Sequence, residues 1–464
     1  MTAHHFQPTI LRAYDIRGIV GETLFAADAR ALGWHFPHFL NSQQRQPRIA
    51  VGRDGRLSSP ELHAALIEGL QAAGAEVIDI GLGPTPMLYF ADRFLECDGA
   101  IQVTGSHNPP DHNGFKMVAG HQSFYGEQIL QLGRRAATSH GGGGSGSQTR
   151  EAILEAYCNR LLEGLDLPEM SVVWDSGNGA TGPVMEALAS QLPGQHHLLF
   201  TEVDGRFPNH HPNPVDPETL GLLRAARAEQ GAVCGIGFDG DGDRTGIIDE
   251  KGRLIAGDLL TAFLATEILA RQPDQPVILD VKSSGLAMQI IEQSGGRPEL
   301  WKTGHSHMKT RLADRAAPLA GEMSGHIFLA DGWFGFDDGI YVGLRTLAAM
   351  KQLGMTITQF ADQLPPIMAS PEYHIACPDE QKFSHMDAVS RLVSQSVKAD
   401  ETLLDIDGVR LTGPDGWFLL RASNTEPALV ARAEGCTADQ LASQLHRLQS
   451  ILAEVGIDWQ PGSR

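Results

Sequence analysis

Residues 48–74 read RIAVGRDGRLSSPELHAALIEGLQAAG, and this stretch sets the architecture of most of the chain. An apolar run ends at Asp54, and a turn rich in glycine and serine follows. Leu62, Leu66 and Leu70 then recur at helical spacing. Ser59 is expected to cap this helix, and Pro60 suits its first position. The pattern predicts a unit of strand, turn and helix.

The same order of features occurs twice more. Residues 171–192 read SVVWDSGNGATGPVMEALASQL, and residues 276–296 read PVILDVKSSGLAMQIIEQSGG. The apolar runs end at Asp175 and Asp280. Alternating strands and helices indicate α/β structure with largely parallel sheets. Three spaced copies therefore predict three domains of similar topology.

The remaining hundred residues have a different pattern. Two Asp-Gly pairs, at 407–408 and 415–416, stand between apolar runs and indicate hairpins. A helix is expected from about residue 438 to 453. The fourth domain is therefore predicted to be α+β with an antiparallel sheet.

Composition shifts place the domain borders. The stretch GGGGSGSQ, from Gly141, is typical of a flexible connection or a surface loop. Further borders fall near residues 252–257 and 365–371, where glycine and proline interrupt the pattern. The predicted domains are 1–150, 151–254, 255–367 and 368–464.

The bulk composition restricts the partners and the compartment. The chain has 464 residues and a formal net charge of −20, which argues against binding to nucleic acid or an anionic membrane. The longest apolar stretch, from Leu259, contains Glu267 and is shorter than the roughly 20 residues of a membrane span. The five cysteines stand singly, and the N-terminus lacks a signal-peptide pattern. We therefore expect a cytoplasmic protein with reduced thiols, monomeric, with a dimer as the alternative.

The segment GFDGDGDRTGIIDE, residues 237–250, is the strongest candidate for a metal site. Asp239, Asp241 and Asp243 alternate with glycine, and each like-charged pair at 4 Å costs about 4 kcal/mol at an effective dielectric near 20. A hard divalent cation would offset this repulsion. An EF-hand is disfavoured because Arg244 stands where that loop requires glycine and the flanks look strand-like. A solvated acidic turn is the remaining alternative.

The segment TGSHNPPDHNGFKM, residues 104–117, offers a nucleophile. Gly105 permits a sharp turn and Pro109-Pro110 prevents a helix, so Ser106 is expected to lie exposed on a rigid loop. Ser106 and His107 are not expected to form a dyad, because sequence neighbours rarely face each other. The alternative is a turn whose polar side chains only cap backbone groups.

Two further segments suit sugar and phosphate. In GEMSGHIF, residues 321–328, a strand would point Glu322, Ser324 and His326 to one face, where they could bind hydroxyls. A strand with a polar outer face is the alternative. In RASNTEP, residues 421–427, a strand end is followed by a dense set of phosphate-binding donors, unless it is only a capped turn. These donors are Arg421, Ser423, Asn424 and Thr425. Tyr14, Arg17 and His305 are further pocket candidates.

Taken together, these segments resemble the α-D-phosphohexomutase family, particularly its bacterial phosphomannomutase/phosphoglucomutase branch. TGSHNPP, DGDGDR, GEMSGH and RASNTEP resemble, in this order, the phosphoserine, metal, sugar-binding and phosphate-binding loops of the family. The resemblance covers nearly the whole chain, with one motif in each domain. It implies four domains around a central cleft, the first three topologically related.

The resemblance also implies a role for each matching residue. Ser106 would carry the phosphoryl group, and its phosphate would join Asp239, Asp241 and Asp243 as ligands of Mg²⁺. Glu322 and Ser324 would bind sugar hydroxyls. The donors of RASNTEP, helped by Tyr14, would hold the phosphate that is not transferred. Positions near the transferred group are Arg17, Lys116 and His326, and positions lining the cleft are Arg244, Lys282 and His305.

The implied activity is interconversion of hexose 1-phosphate and hexose 6-phosphate, with mannose, glucose or both as the sugar. A hexose 1,6-bisphosphate would be both intermediate and activator, and either Lys116 or His326 would accept the hydroxyl proton. Within the family, phosphoglucosamine mutase is the alternative, although GEMSGH argues against it because amino-sugar members vary in the middle of that loop. A phosphosugar-binding protein without turnover and a Mg²⁺-dependent phosphatase are alternatives from other classes.

Overall fold

The structure is a computed structural model that describes residues 3–41, 45–138, 143–423 and 427–462. Four sheets follow one another along the chain, and each belongs to its own domain. The first three sheets mix parallel and antiparallel pairs, and the fourth is antiparallel. The predicted fold class is confirmed.

The first domain contains a seven-stranded sheet in the order β1-β5-β4-β2-β3-β7, with β6 paired to β5. Its strands are β1 (Ile16–Ile19), β2 (Arg48–Arg53), β3 (Glu76–Leu82), β4 (Gly99–Val103), β5 (His112–Ala119), β6 (Gln122–Ser123) and β7 (Ser147–Arg150). Its α-helices are α1 (Ala26–His35), α2 (Ser59–Ala72), α3 (Thr85–Phe94) and α4 (Glu127–Thr138), with 3₁₀ turns at Pro8–Ile10 and Phe36–Phe39.

The second domain has a five-stranded sheet in the order β12-β11-β10-β8-β9. Its strands are β8 (Met170–Asp175), β9 (Gly194–Leu199), β10 (Cys234–Phe238), β11 (Thr245–Asp249) and β12 (Leu254–Ile255). Its helices are α5 (Leu154–Leu162), α6 (Gly182–Ala189) and α7 (Gly221–Gln230).

The third domain has a four-stranded sheet in the order β14-β13-β15-β16. Its strands are β13 (Pro276–Asp280), β14 (Arg297–Trp301), β15 (Leu319–Gly321) and β16 (Ile327–Leu329). Its helices are α8 (Gly257–Arg271), α9 (Gly285–Gln293), α10 (His305–Asp314), α11 (Gly339–Leu353) and α12 (Ile357–Gln363).

One four-stranded core recurs in these three domains. Its central strand is β2, β8 or β13, the apolar strand of each sequence repeat. Parallel neighbours flank that strand on both sides, and one of them pairs with an antiparallel strand that follows directly in sequence. The predicted topological relationship of the three domains is therefore present in their strand orders.

The fourth domain has a six-stranded antiparallel sheet in the order β17-β22-β21-β20-β19, with β18 paired to β22. The two predicted hairpin turns lie at Gly408, which has φ of 78°, and at residues 414–415, directly before Gly416, which has φ of 115°. Its strands are β17 (Met368–Ala369), β18 (Tyr373–Ala376), β19 (Thr402–Leu404), β20 (Val409–Gly413), β21 (Gly416–Ala422) and β22 (Ala428–Gly435). Its helices are α13 (Asp379–Ser396) and α14 (Ala438–Glu454).

One large apolar cluster joins the first three domains, and a small one, Val281 with Trp417 and Leu419, connects the third domain to the fourth. One buried cluster runs from Ile78 and Met87 of the first domain through Trp174 of the second to Leu279 and Ile340 of the third. The fourth domain has its own cluster beneath β20, β21 and β22. Leu62, Leu66 and Leu70, which recur at helical spacing, lie in α2 and are buried. No helix in the described ranges is long and apolar enough to cross a lipid bilayer.

Two local predictions were wrong. Ser59 is the first residue of α2 and not its cap, since its hydroxyl donates to Asp54 Oδ1 at 2.5 Å. The stretch from Gly141 to Gln148 was expected to be a flexible connection or a surface loop, but its last two residues, Ser147 and Gln148, lie in β7, which pairs in parallel with β3. Gly146 makes this pairing feasible, since a Cβ there would lie 2.3 Å from the carbonyl oxygen of Ala75. Residues 139–142 lie outside the described residues.

Candidate active site

Three of the four motifs occupy the same loop of the recurring core. This loop joins the flanking parallel strand to its antiparallel neighbour. It comprises residues 104–111 between β4 and β5, residues 239–244 between β10 and β11, and residues 322–326 between β15 and β16. Because the three domains share one topology, loops that are far apart in sequence can face a common space.

Ser106 lies in contact with the acidic loop of the second domain. Its Oγ donates to Asp239 Oδ2 at 2.7 Å. The predicted exposure is wrong, since only 2% of Ser106 is accessible. The premise for His107 is also wrong, since its Nδ1 lies 3.2 Å from Ser106 Oγ and these sequence neighbours do face each other. The reason is the left-handed backbone of Ser106, with φ of 50°, which turns the two side chains toward each other.

The three aspartates form a compact, buried group. Asp239, Asp241 and Asp243 are fully inaccessible, and one oxygen of each lies within 4.8 Å of the others. Asp241 Oδ1 and Asp243 Oδ1 have no hydrogen-bond partner among the described residues. Buried carboxylate oxygens without partners are unfavourable, so the donor set fits a hard divalent cation. Strands and not helices flank the loop, which excludes an EF-hand.

Two cationic side chains partly neutralise this group. Lys116 Nζ donates to Asp241 Oδ2 at 2.7 Å and also contacts Asp243 Oδ2. Arg244 Nε lies 3.3 Å from Asp239 Oδ2. Burial alone would lower the pKa of Lys116, but the surrounding carboxylates outweigh burial and raise it. Burial, with the charge of Asp241, raises the pKa of Asp243 to about 7.

His326 lies beside Asp243 of the acidic group. Its Nδ1 is 3.7 Å from Asp243 Oδ1 and 3.0 Å from Asp337 Oδ2. Asp337 in turn pairs with Lys309 at 2.9 Å. Burial would lower the pKa of His326, yet Asp243 and Asp337 outweigh burial and raise it. His305 stacks on His326 with ring centroids 5.7 Å apart, and burial lowers its pKa well below the usual value.

Glu322 and Ser324, the candidates for binding sugar hydroxyls, lie in a turn that brings their side chains together. The predicted strand over GEMSGH is wrong, because residues 322–326 reverse the chain and Gly325 N donates to Glu322 O at 3.0 Å. Gly325 has φ of 90°, which a residue with a side chain rarely adopts. Ser324 Oγ nevertheless reaches Glu322 Oε2 at 3.4 Å. Gly304 N, beside His305, donates to Glu322 Oε1 at 2.5 Å.

The candidates of the fourth domain join this site through Asp407. Arg421 Nε and Nη2 donate to the two oxygens of Asp407 at 3.0 and 3.3 Å. Thr303 N also donates to Asp407 at 3.0 Å, and Tyr14 OH donates to Thr303 O at 2.7 Å. Ser423 follows β21 directly, whereas Asn424 and Thr425 lie outside the described residues.

Lys282 and Arg17, the remaining two candidates, have partners that the sequence motifs did not reveal. Lys282 Nζ lies 3.2 Å from Glu372 Oε2. Burial would lower the pKa of Lys282, but Glu372, Asp280 and Glu322 outweigh burial and raise it. Arg17 donates to Asn108 Oδ1 at 2.8 Å and to Asp15 at 2.6 Å. Contacts therefore join Ser106, Lys116, Arg244 and His326 to the three aspartates, and Tyr14 to Arg421 through Thr303 and Asp407.

Four contacting residues were missed by sequence reasoning: Arg56, Thr85, Asp337 and Asp407. Thr85, at the start of α3, donates its hydroxyl to Asp241 Oδ2 at 2.5 Å and its N–H to Asp241 O at 2.8 Å. Asp337 offered a signal, as half of an acidic pair before a helix. Asp407 was noticed only as a turn residue. Nothing in the local sequence distinguished Arg56 or Thr85.

Comparison with protein families identifies the class. Models of the three α/β/α domains of phosphoglucomutase/phosphomannomutase match residues 8–132, 152–252 and 256–368. The model of the C-terminal domain matches residues 372–450. The chain belongs to the phosphoglucomutase/phosphomannomutase family, the bacterial branch of the α-D-phosphohexomutases.

Individual relatives are similar over almost their whole length. A phosphomannomutase/phosphoglucomutase of Pseudomonas aeruginosa is 41% identical over 93% of both chains. A phosphoglucomutase of Neisseria gonorrhoeae is 39% identical over 96% of both chains. The crystal structure of a phosphoglucomutase/phosphomannomutase family protein from Burkholderia thailandensis is 38% identical, with a TM-score of 0.89 over 99% of both chains.

Proposed function

We propose that this chain is a mutase that interconverts hexose 1-phosphate and hexose 6-phosphate, with both mannose and glucose as sugars. The observation that carries the proposal is the 2.7 Å contact between Ser106 Oγ and Asp239, inside a buried group of three aspartates. The names of the relatives from Pseudomonas aeruginosa and Neisseria gonorrhoeae support the activity.

Ser106 is proposed to carry the phosphoryl group. The P–O bond to Ser106 Oγ breaks as a new P–O bond forms to the free hydroxyl of the hexose monophosphate, which yields a hexose 1,6-bisphosphate. The bisphosphate turns around in the cleft, and its other phosphoryl group returns to Ser106. Added bisphosphate would therefore activate a chain whose serine had lost its phosphate.

Mg²⁺ is the proposed metal, held by Asp239, Asp241 and Asp243 with an oxygen of the phosphorylated Ser106. Asp241 Oδ1 and Asp243 Oδ1, which accept no hydrogen bond from the described residues, support this assignment. When bound, the ion supplies Lewis-acid neutralisation of phosphoryl charge. Lys116 and Arg244 border the carboxylates and are placed to add positive charge, and Arg17 holds the serine loop at Asn108.

Two side chains are candidates for accepting the hydroxyl proton. The raised pKa of Lys116 favours a permanently charged ammonium that neutralises phosphate. An imidazole ordinarily titrates near pH 6.5, so His326 loses its proton more readily even with its raised pKa. We therefore propose His326 as the base, with Asp337 holding its ring. At saturating Mg²⁺, which would keep the proposed ligand Asp243 ionised, the acidic limb of the kcat/KM profile should disappear in His326→Gln and persist in Lys116→Met.

The sugar and the second phosphate are proposed to lie between the third and fourth domains. Glu322 and Ser324 would bind ring hydroxyls, since their side chains already contact each other. The phosphate clamp would comprise Tyr14, Lys282, His305, Arg421, Ser423, Asn424 and Thr425.

Domain borders at residues 150, 254 and 367 are part of the proposal, as are a monomeric state and a cytoplasmic location. Among the described residues no cysteine forms a disulfide, and four of the five cysteines are buried, which supports that location.

A direct mutase assay tests the function. Glucose 1-phosphate, mannose 1-phosphate and glucosamine 1-phosphate should be compared, each with bisphosphate activator and Mg²⁺. We expect turnover of both glucose 1-phosphate and mannose 1-phosphate. Their kcat/KM values should differ by well under about 10⁴-fold, because a difference that large is typical of a site built to bind one particular hydroxyl. Faster turnover of glucosamine 1-phosphate would favour phosphoglucosamine mutase. Phosphate release without isomerisation would indicate a phosphatase.

A further inference from the structure

Arg56 lies beneath the serine loop with its guanidinium fully enclosed. Nη1 donates to the carbonyl oxygens of Pro109 and His112 at 2.5 and 2.9 Å. Nη2 donates to the carbonyl oxygens of Ser106 and Asn108 at 2.9 and 2.5 Å. Only 1% of Arg56 is accessible. The four terminal N–H groups of one side chain thus hold four backbone carbonyls of a single short loop.

The remaining contacts of Arg56 fix the guanidinium itself. Its Nε lies 3.3 Å from Asp54 Oδ2, and the same oxygen accepts hydrogen bonds from Thr104 and Gly105. A Cβ on Gly105 would lie 2.4 Å from Arg56 Nε, so only glycine allows this approach. Asp54 follows the apolar run of the first sequence repeat. Because its Oδ2 contacts both Arg56 and residues 104–105, it ties Arg56 to the start of the loop.

Arg56 also connects the serine loop to the second domain. Its guanidinium lies over the ring of Phe207 at 5.3 Å. A Cβ on Gly240, between two of the aspartates, would lie 2.5 Å from Ser106 O and 3.5 Å from Phe207. The carbonyl of Ser106 is therefore enclosed between Arg56 and the acidic loop, which sets the distance between serine and metal ligands.

We propose that Arg56 is a positioning residue for Ser106, whose guanidinium holds the loop carbonyls and so keeps Oγ directed at Asp239. The inference rests on the proposed function, since Ser106 matters only as the phosphoryl carrier. Ser106 has φ of 50°, which is unfavourable for a residue with a side chain, and its surroundings must maintain it. Arg56 does not reach the substrate clamp, so it acts on turnover and not on binding.

The planar guanidinium of Arg56 allows a positioning role to be distinguished from a purely electrostatic one. Guanidinium presents four terminal donors in fixed directions, whereas a lysine ammonium presents three donors from one nitrogen. Lysine at position 56 keeps the positive charge but cannot reach both pairs of carbonyls. Arg56→Lys should therefore lose activity although it keeps the charge. Arg56→Met should lose activity to a similar extent.

The experiment combines kinetics with hydrogen exchange of the full chain. In Arg56→Lys and Arg56→Met we expect kcat to fall about 100-fold with KM for glucose 1-phosphate within about twofold, because a misplacement near 1 Å costs that much in rate. Amides of residues 104–112 should exchange faster than in wild type. Arg345→Met is the matched control: Arg345 is also buried and pairs with Glu267 and Asp331 away from the site, so its loss should lower Tm and leave kcat unchanged.

A second variant keeps the test decisive if Arg56 variants do not fold. Gly105→Ala pushes on the same guanidinium from the loop side and should lower kcat and increase exchange of residues 104–112. A folded Arg56→Lys or Gly105→Ala with wild-type kcat and exchange overturns the proposal. Full activity of Arg56→Lys shows that charge alone suffices and also overturns it. Wild-type turnover in Ser106→Ala would instead defeat the proposed function, and the exchange data would still decide whether Arg56 holds the loop.

Discussion

Replacing Arg421 should expose the substrate to the charge of Asp407. In the structure Arg421 donates to both oxygens of Asp407, at 3.0 and 3.3 Å. Arg421→Ala removes a phosphate-binding guanidinium and also leaves this carboxylate without its countercharge. The double variant Arg421→Ala/Asp407→Asn removes both charges, while an amide oxygen can still accept from Thr303 N.

The two contributions can be estimated separately. A hydrogen bond to a charged group contributes about 1.5–3 kcal/mol, so loss of the guanidinium should weaken phosphosugar binding roughly 10- to 150-fold. At an assumed separation of about 7 Å, an unpaired carboxylate repels a phosphate charge by about 2 kcal/mol at an effective dielectric near 20. The single variant should therefore bind roughly 30-fold more weakly than the double variant.

Binding is measured by calorimetric titration with glucose 1-phosphate and with mannose 1-phosphate, in a Ser106→Ala background that prevents turnover. Both sugars should lose affinity equally, because the clamp contacts phosphate and not the ring. The gap between single and double variants should narrow as salt rises. Equal affinities of single and double variants would refute the role of Asp407. Unchanged affinity of Arg421→Ala would show that phosphate is held elsewhere, for example by residues 302–309.

Three further predictions follow from the same geometry. Ser106→Ala should lower turnover by orders of magnitude even with bisphosphate supplied, and intact-mass measurement should find the phosphate of the purified wild-type chain missing from this variant. Asp241→Asn should mimic chelation, since it removes one ligand charge; activity in excess chelator, or equal Mg²⁺ requirements of variant and wild type, would contradict the metal assignment. Burial raises the pKa of Asp338 to about 7, against about 3.9 for an exposed aspartate, so the folded state keeps a proton that the unfolded state releases between these values. The free energy of unfolding should therefore fall as pH rises from about 4 to 7, and Asp338→Asn should flatten that slope in denaturant titrations at pH 5 and pH 8.

The local sequence determined the elements and the loops that carry chemistry. Apolar runs ending in Asp54, Asp175 and Asp280 each formed a central strand, because a buried parallel strand needs continuous apolar residues. Asp-Gly pairs formed hairpins in the fourth domain, because glycine adopts the positive φ that such turns require. The acidic loop could be interpreted as a metal site, because three adjacent carboxylates repel one another wherever they lie.

Only the tertiary structure decided the partners and the burial of those loops. Ser106 meets Asp239 across 133 residues of sequence, and this contact encloses a serine that the local pattern placed in solvent. Arg56 is held by carbonyls about 50 residues away in its own domain, and Asp407 is reached by Thr303 of the third domain, so neither set of contacts is visible in the local sequence. The turn at Gly325 was misread because alternating polar residues fit a strand and a reversed chain equally well. Local residue patterns specify backbone conformation, whereas side-chain partners depend on which surfaces the packed domains present to one another.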